Sequence, residues 1–248
     1  MLPRTAIVAL FLTGLAACGG GGGGSPTNPT PVTPTPTVVS LSISPATDLV
    51  TIQGTVTLSA TATMSDGTTK TASGTWASDA APVATVDGTG KVTGVAPGQA
   101  TVTVTYENVK ATRAIRVVPD YQGAWTGEYR ILTCEDTGDF RADEWCEGSL
   151  EKGTIRVSLT LTQARDTVTG SWTHDIMSGT TQGTVETSGT LVMNGNGLYD
   201  KVPMTIAGWR SLSTDNRTQT GKFTLTFSSS VWKGTAVATV EVRTCTKG

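Results

Sequence analysis

Few residues in this chain could do chemistry. His174 is the only histidine, so a Ser/His/Asp or Cys/His catalytic set would have to be built on it. No Gly-x-Ser-x-Gly turn or reactive-cysteine motif accompanies it. A histidine-based zinc centre needs three or four ligands, and His174 is expected instead to end a strand at the surface beside Asp175. Carboxylates concentrate in residues 134–153, with Glu135, Asp136, Asp139, Asp143, Glu144 and Glu147. Their spacing misses the calcium-loop pattern of the EF-hand. Asp79 and Asp87 lie beside Ser, Gly and Thr, as turn-capping carboxylates do. No metal, cofactor or catalytic residue is assigned, and the chain reads as a non-enzyme.

Cysteines and aromatics remain. A bridge between Cys134 and Cys146 would close a loop of about a dozen residues, contributing up to about 3 kcal/mol in the chain-entropy model. Cys245 could compete for either partner. The same loop carries Phe140 and Trp145, and it reads as either a lid or contact surface, or a solvated acidic loop held by the bridge. Five of the six tryptophans fall after residue 119. Trp125, Tyr129, Trp172 and Trp209 either line a cavity or fill and close the interior of that half.

The elements that must position these groups are strands. Threonine, valine and glycine are abundant and charge is sparse, a composition that favours pleated strands and tight turns. No 3.6-residue apolar period is sustained, so the class is all-β. The mildly acidic balance, with no basic stripe, argues against nucleic acid as a partner. In residues 38–119, period-two alternation at 56–62 and 100–106 is separated by the turns Ser65-Asp66-Gly67, Asp87-Gly88-Thr89-Gly90 and Ala96-Pro97-Gly98. That spacing predicts a β-sandwich with Trp76 on a central strand. In residues 120–248, eight strands are predicted at 125–134, 154–163, 168–174, 183–188, 189–193, 202–210, 221–227 and 234–245. Eight antiparallel strands remove their edges best by closing into an up-and-down barrel; a second sandwich is the alternative.

Residues 1–17 have the parts of an export signal: one cation at Arg4, an apolar run at 6–12, then small residues. The apolar run is shorter than the roughly 20 residues a spanning helix needs. Leu15-Ala16-Ala17-Cys18 resembles the lipobox of bacterial lipoproteins. The resemblance implies cleavage before Cys18 and diacylglycerol on its thiol, a two-chain anchor able to hold stably. Gly19 after the cysteine favours, by analogy with Gram-negative lipoproteins, the outer membrane, on either its periplasmic or its exposed face. Residues 18–37 form a tether in which six glycines precede a Pro/Thr-rich stretch, a swivel followed by an extended spacer.

Two further resemblances concern the folded part. Trp76-Ala77-Ser78-Asp79, Val83-Ala84-Thr85-Val86-Asp87 and Gly90-Lys91-Val92-Thr93-Gly94-Val95-Ala96-Pro97-Gly98 resemble the group 2 bacterial immunoglobulin-like (Big) domain. That family implies an Ig-like sandwich of the kind repeated in bacterial surface proteins. Gly123-Ala124-Trp125 resembles the Gly-x-Trp element of calycin barrels, the lipocalins and avidins, which implies a cation from Arg243 across Trp125. The expected function is an envelope lipoprotein whose Ig-like spacer presents the second module to a cell-surface protein or glycan. A carrier of a small apolar ligand and a purely structural envelope protein are the alternatives.

Overall fold

The computed structural model describes residues 34–248 apart from residue 176. The export signal at 1–17, Cys18 and most of the tether lie outside the described residues. The first module comprises β1 (Val38–Ser44), β2 (Leu49–Thr51), β3 (Thr55–Thr57), β4 (Ser59–Met64), β5 (Thr69–Ala72), β6 (Thr75–Ser78), β7 (Ala84–Val86), β8 (Lys91–Gly94), β9 (Gly98–Tyr106) and β10 (Val109–Val118). They form sheets ordered β1-β4-β5, β2-β10-β9-β6 and β3-β8-β7. The run 56–62 does alternate, yet it is not one strand. Leu58 breaks it, donating its N–H to the Gly90 carbonyl, and the chain passes from the β3 sheet to the β4 sheet.

Alternate residues such as Ala60, Ala62, Val102, Val104, Ile115 and Val117 make the core between the sheets. Threonines take the other face, as expected for half-buried strands. Trp76 corrects its prediction. It lies on β6, the edge strand of its sheet, and is only half-buried, packing against the core from the side. Asp87 caps its turn, its Oδ1 accepting from the N–H groups of Thr89 and Lys91 and from the Thr89 hydroxyl.

The second module is a closed antiparallel barrel of eight strands. They are β11 (Gly123–Asp136), β12 (Thr154–Ala164), β13 (Thr167–His174), β14 (Met177–Val185), β15 (Thr190–Tyr199), β16 (Val202–Leu212), β17 (Thr218–Ser229) and β18 (Thr235–Lys247). β11 pairs with both β12 and β18, which closes the sheet and leaves no unpaired edge. The expected all-β class with a sandwich and a barrel is what the chain adopts. The fourth and fifth strands, expected at 183–188 and 189–193, are corrected: β14 begins at Met177, the turn falls at 186–189, and β15 runs on to Tyr199.

Asn194-Gly195-Asn196-Gly197 looks like a turn in sequence but lies inside β15. The reason is the Trp172 ring. A β-carbon on Gly195 would stand 2.8 Å from the indole Nε1, and one on Gly197 2.8 Å from Cζ2. Glycine is what lets the indole lie flat on that strand.

Hairpins of an up-and-down barrel alternate between its two ends. One end collects the β12–β13, β14–β15 and β16–β17 turns, and the Ig-like module docks there. Arg116 pairs with Asp166 at 2.7 Å and Arg165 with Asp48 at 2.6 Å. Asn216 donates to the Ile52 carbonyl and accepts from the Asp120 N–H, both at 2.8 Å. Val118 is fully buried in the barrel's own core cluster, with Leu49 packed against it. Tyr121 follows, fully buried, donating its hydroxyl to the Gly189 carbonyl and accepting from the Ser213 N–H. The joint between modules is therefore packed and hydrogen-bonded.

Candidate functional site

The opposite end of the barrel carries the β13–β14, β15–β16 and β17–β18 turns and the long β11–β12 connection. That connection, expected to be irregular, folds into α1 (Asp139–Ala142) and α2 (Trp145–Glu151). Helices of one and two turns are too short to stand alone, so tertiary contacts hold them. The Cys134–Cys146 disulfide ties α2 to β11. Asp136 accepts from the Cys146 N–H at 3.0 Å, and Asp139 accepts from the Lys233 N–H at 2.7 Å. Cys245 is free and buried far down the barrel wall, and burial pushes its thiol up to about 11. It is held protonated and apolar in character.

Phe140 and Trp145 point inward, so they close the end rather than face solvent. Phe140 meets Trp145 and Trp232 edge-on at 5.6 and 5.2 Å between ring centroids, and Trp145 meets Tyr199 at 4.7 Å. Such edge-to-face contacts add to the area they bury. Around this plug, Leu150, Leu198 and Val231 stand exposed, at 44%, 52% and 65% of their surface. These three exposures matter because they fall on α2 and on two hairpins of one end.

Below the plug, Tyr129, Trp172 and Trp209 line an internal cavity together with Leu159, Met193 and Phe227. Its volume is about 50 Å³. A drug-sized ligand needs about 300–1,000 Å³, so the barrel is essentially filled by its own side chains. Trp125 does not line it. It is fully buried nearer the Ig-like module, its indole donating to the Tyr121 carbonyl at 2.7 Å.

The cation over Trp125 is Lys247, with Nζ 5.7 Å from the ring centroid, and not Arg243. A bulge explains the correction. β18 pairs Val242 with Tyr129 and then Thr244 with Glu128, so register slips across Arg243. Inward parity changes from even to odd numbers there, leaving Arg243 exposed and Cys245 inside. Lys247 is held in place by the Asp120 carboxylate at 3.0 Å.

His174 also differs from expectation. It ends β13, but its ring turns inward and stacks on Tyr129 at 5.4 Å and 24°. Both ring nitrogens are hidden from solvent without a hydrogen-bond partner. Burial pulls its pKa down to about 4 and keeps the imidazole neutral. The same burial, with the Asp175 charge, drives the Tyr129 hydroxyl well above its usual range.

A second hollow, of about 200 Å³, opens outside the plug between α2 and the β13–β14 and β15–β16 turns. Asp143, Glu144, Trp145, Lys152, Asp175 and Tyr199 face it, and His174 lines both it and the inner cavity. The signal that could have located this site was the density of acids and aromatics in 134–153. Tyr199, Leu198, Val231 and Trp232 gave none, because they sit on hairpin ends distant in sequence.

No curated protein matches the chain. Among solved structures, domains 5–6 of the S-layer protein SbsC are similar at 16% identity, with 82% of this chain and 97% of that chain covered, at a TM-score of 0.31. Domains 4–9 of the same surface layer protein give 15% identity, 82% and 31% coverage, and a TM-score of 0.32. Superposition at that level carries no statement about architecture or role. Residues 37–116 match the family model of the bacterial Ig-like domain (group 2), and the first module of this chain is a domain of that family.

Proposed function

We propose that the chain is a lipid-anchored protein of the bacterial cell envelope in which the Ig-like domain is a spacer and the barrel a head for surface binding or adhesion. The observation that carries this reading is the polarity of the barrel. The Ig-like domain grips one end through paired charges and part-buried hydrogen bonds, and three exposed apolar side chains, Leu150, Leu198 and Val231, fall on α2 and on two hairpins of the other. A packed joint transmits the direction of the spacer to the head, and the free end carries contact area. The Leu-Ala-Ala-Cys18 motif and the glycine/proline tether place an acylated anchor at the opposite extreme of the sequence. Gly19 favours the outer membrane.

The apolar-ligand carrier is the weaker alternative, since about 50 Å³ leaves room for little more than water. Cells grown with labelled palmitate are expected to label the full chain and not its Cys18→Ala variant. Label retained by that variant would overturn the anchor.

A further inference from the structure

Toward the Ig-like domain, the barrel interior holds two side chains that packing alone does not explain. Gln219 and Cys245 are both fully buried, at 0% exposure. β17 and β18 pair them directly, Gln219 opposite Cys245. Both face inward, since Thr218 and Thr246 form the next pair and are exposed. The β-carbons of such a pair stand about 4.5–5.5 Å apart, so the carboxamide carbon of a glutamine can reach the sulfur opposite. On its other side Cys245 pairs with Gly127, which puts no side chain beside the thiol.

The two ends of the carboxamide are treated differently. Its Oε1 accepts from the Ser211 hydroxyl at 2.9 Å, and that hydroxyl accepts in turn from the Trp209 indole N–H at 3.1 Å. Its Nε2 is buried without any hydrogen-bond partner. Buried carboxamides ordinarily have both atoms met, because a donor left unpaired keeps its full desolvation penalty. Donors on the oxygen draw electrons from the carbonyl carbon, as they do at an oxyanion, while nothing retains the nitrogen. The thiol opposite is free, Cys134 and Cys146 being joined to each other. Burial keeps it protonated, so the attacking group carries the proton that a departing nitrogen needs. A protonated thiol is a slow nucleophile. Holding the pair side by side in one fold offsets this with an effective concentration of up to about 10⁵–10⁸ M.

We propose that Cys245 and Gln219 join in an internal thioester that cross-links β17 to β18. Sγ of Cys245 bonds to Cδ of Gln219, the Cδ–Nε2 bond breaks, and the thiol proton goes to the nitrogen, which leaves as ammonia. No oxidant or cofactor enters. The step removes the orphaned donor, and the protonation and dilution of ammonia in solvent draw it forward. Its product is a covalent tie between the last two strands of the barrel, at the end that carries the Ig-like domain.

Peptide mapping of the full chain tests this. The chain, isolated in detergent, would be denatured at neutral pH with iodoacetamide and no reductant, then cut briefly with trypsin. Fragments 218–222 and 244–247 are expected as one species, lighter than their sum by one ammonia, with Cys245 unalkylated. Neutral hydroxylamine, which cleaves thioesters and spares amides, is expected to separate them. In the Gln219→Met variant, which keeps the length of the side chain without its carboxamide, Cys245 is expected to be fully alkylated. Two separate fragments with Cys245 alkylated in the unaltered chain would overturn the proposal, and so would a joined species that resists hydroxylamine or a Cys245 still blocked in Gln219→Met. Denaturation precedes every readout, so the stability of the variant does not enter the result.

Discussion

Replacing Trp125 with alanine lowers the unfolding free energy by about 3–5 kcal/mol, the range for removing a large aromatic from a packed core. Trp125 is fully buried, and three interactions converge on it. Its indole donates to the Tyr121 carbonyl, its ring lies 6.1 Å from that of Tyr121, and Lys247 stands over its face. Tyr121 is in turn the first buried side chain after the joint with the Ig-like domain, so the loss also loosens that joint. Urea denaturation at neutral pH measures the effect. Lys247→Met is expected to cost about 1 kcal/mol, the size of one partly solvated cation–π contact. Arg243→Met is expected to stay within about 0.5 kcal/mol, as for an exposed side chain away from any network. Equal losses from Arg243 and Lys247 would contradict the bulged register of β18.

The second large effect is on pH. His174 is neutral in the folded chain, its pKa drawn by burial from 6.5 to about 4. Between those values the unfolded chain binds a proton that the folded chain does not, so stability rises with pH across the window. The full contribution is present above about pH 6.5 and is lost progressively as pH falls toward 4. The total loss is about 3 kcal/mol. Asp48, Asp87, Asp166 and Asp215, held below their ordinary value of 3.8, add a slope of the same sign at the acid end, so with no other histidine the part of the window above about pH 5.5 belongs to one residue. Stability of the His174→Phe variant is expected to be flat from about pH 5.5 to 6.5, where the carboxylates are ionised in both states. An unchanged slope in that variant would place the titrating group elsewhere.

Much of the architecture was legible because the strands obey period two. Ile155, Val157, Leu159 and Leu161 put one face of β12 inside the barrel, as their alternation says. The turns of the Ig-like domain were equally plain from Asp-Gly and Pro-Gly pairs. Errors arose where a local signal was outvoted by packing. Glycines in β15 read as turn residues because Trp172, which requires them, lies on another strand. The bulge at Arg243 inverts inward parity over the last residues of β18, and no composition announces a bulge. His174 followed by Asp175 looks like a strand running into solvent, but Tyr129 recruits the ring to the interior.

The candidate site was legible only in part. Phe140, Trp145 and the Cys134–Cys146 bridge could be picked out because they lie in one connection. Their partners Tyr199, Phe227 and Trp232 come from two other hairpins, joined to them only when the barrel closes. Closure also decides what the aromatics do. Eight strands make an interior that side chains can just fill, so Tyr129, Trp172 and Trp209 act as packing, and the proposed contact surface lies outside the plug.

One measurement directly tests the proposal that the free end of the barrel, and not its interior, makes contact. Bacteria displaying the full chain would be compared, for retention on host-cell or glycan-coated surfaces, with bacteria displaying Leu198→Asp, Val231→Asp. Both side chains are exposed and lie outside the core, so the amount of folded protein at the surface is expected to be equal. Retention is expected to be lost in the double variant. Retention equal to that of the unaltered chain would contradict the proposal.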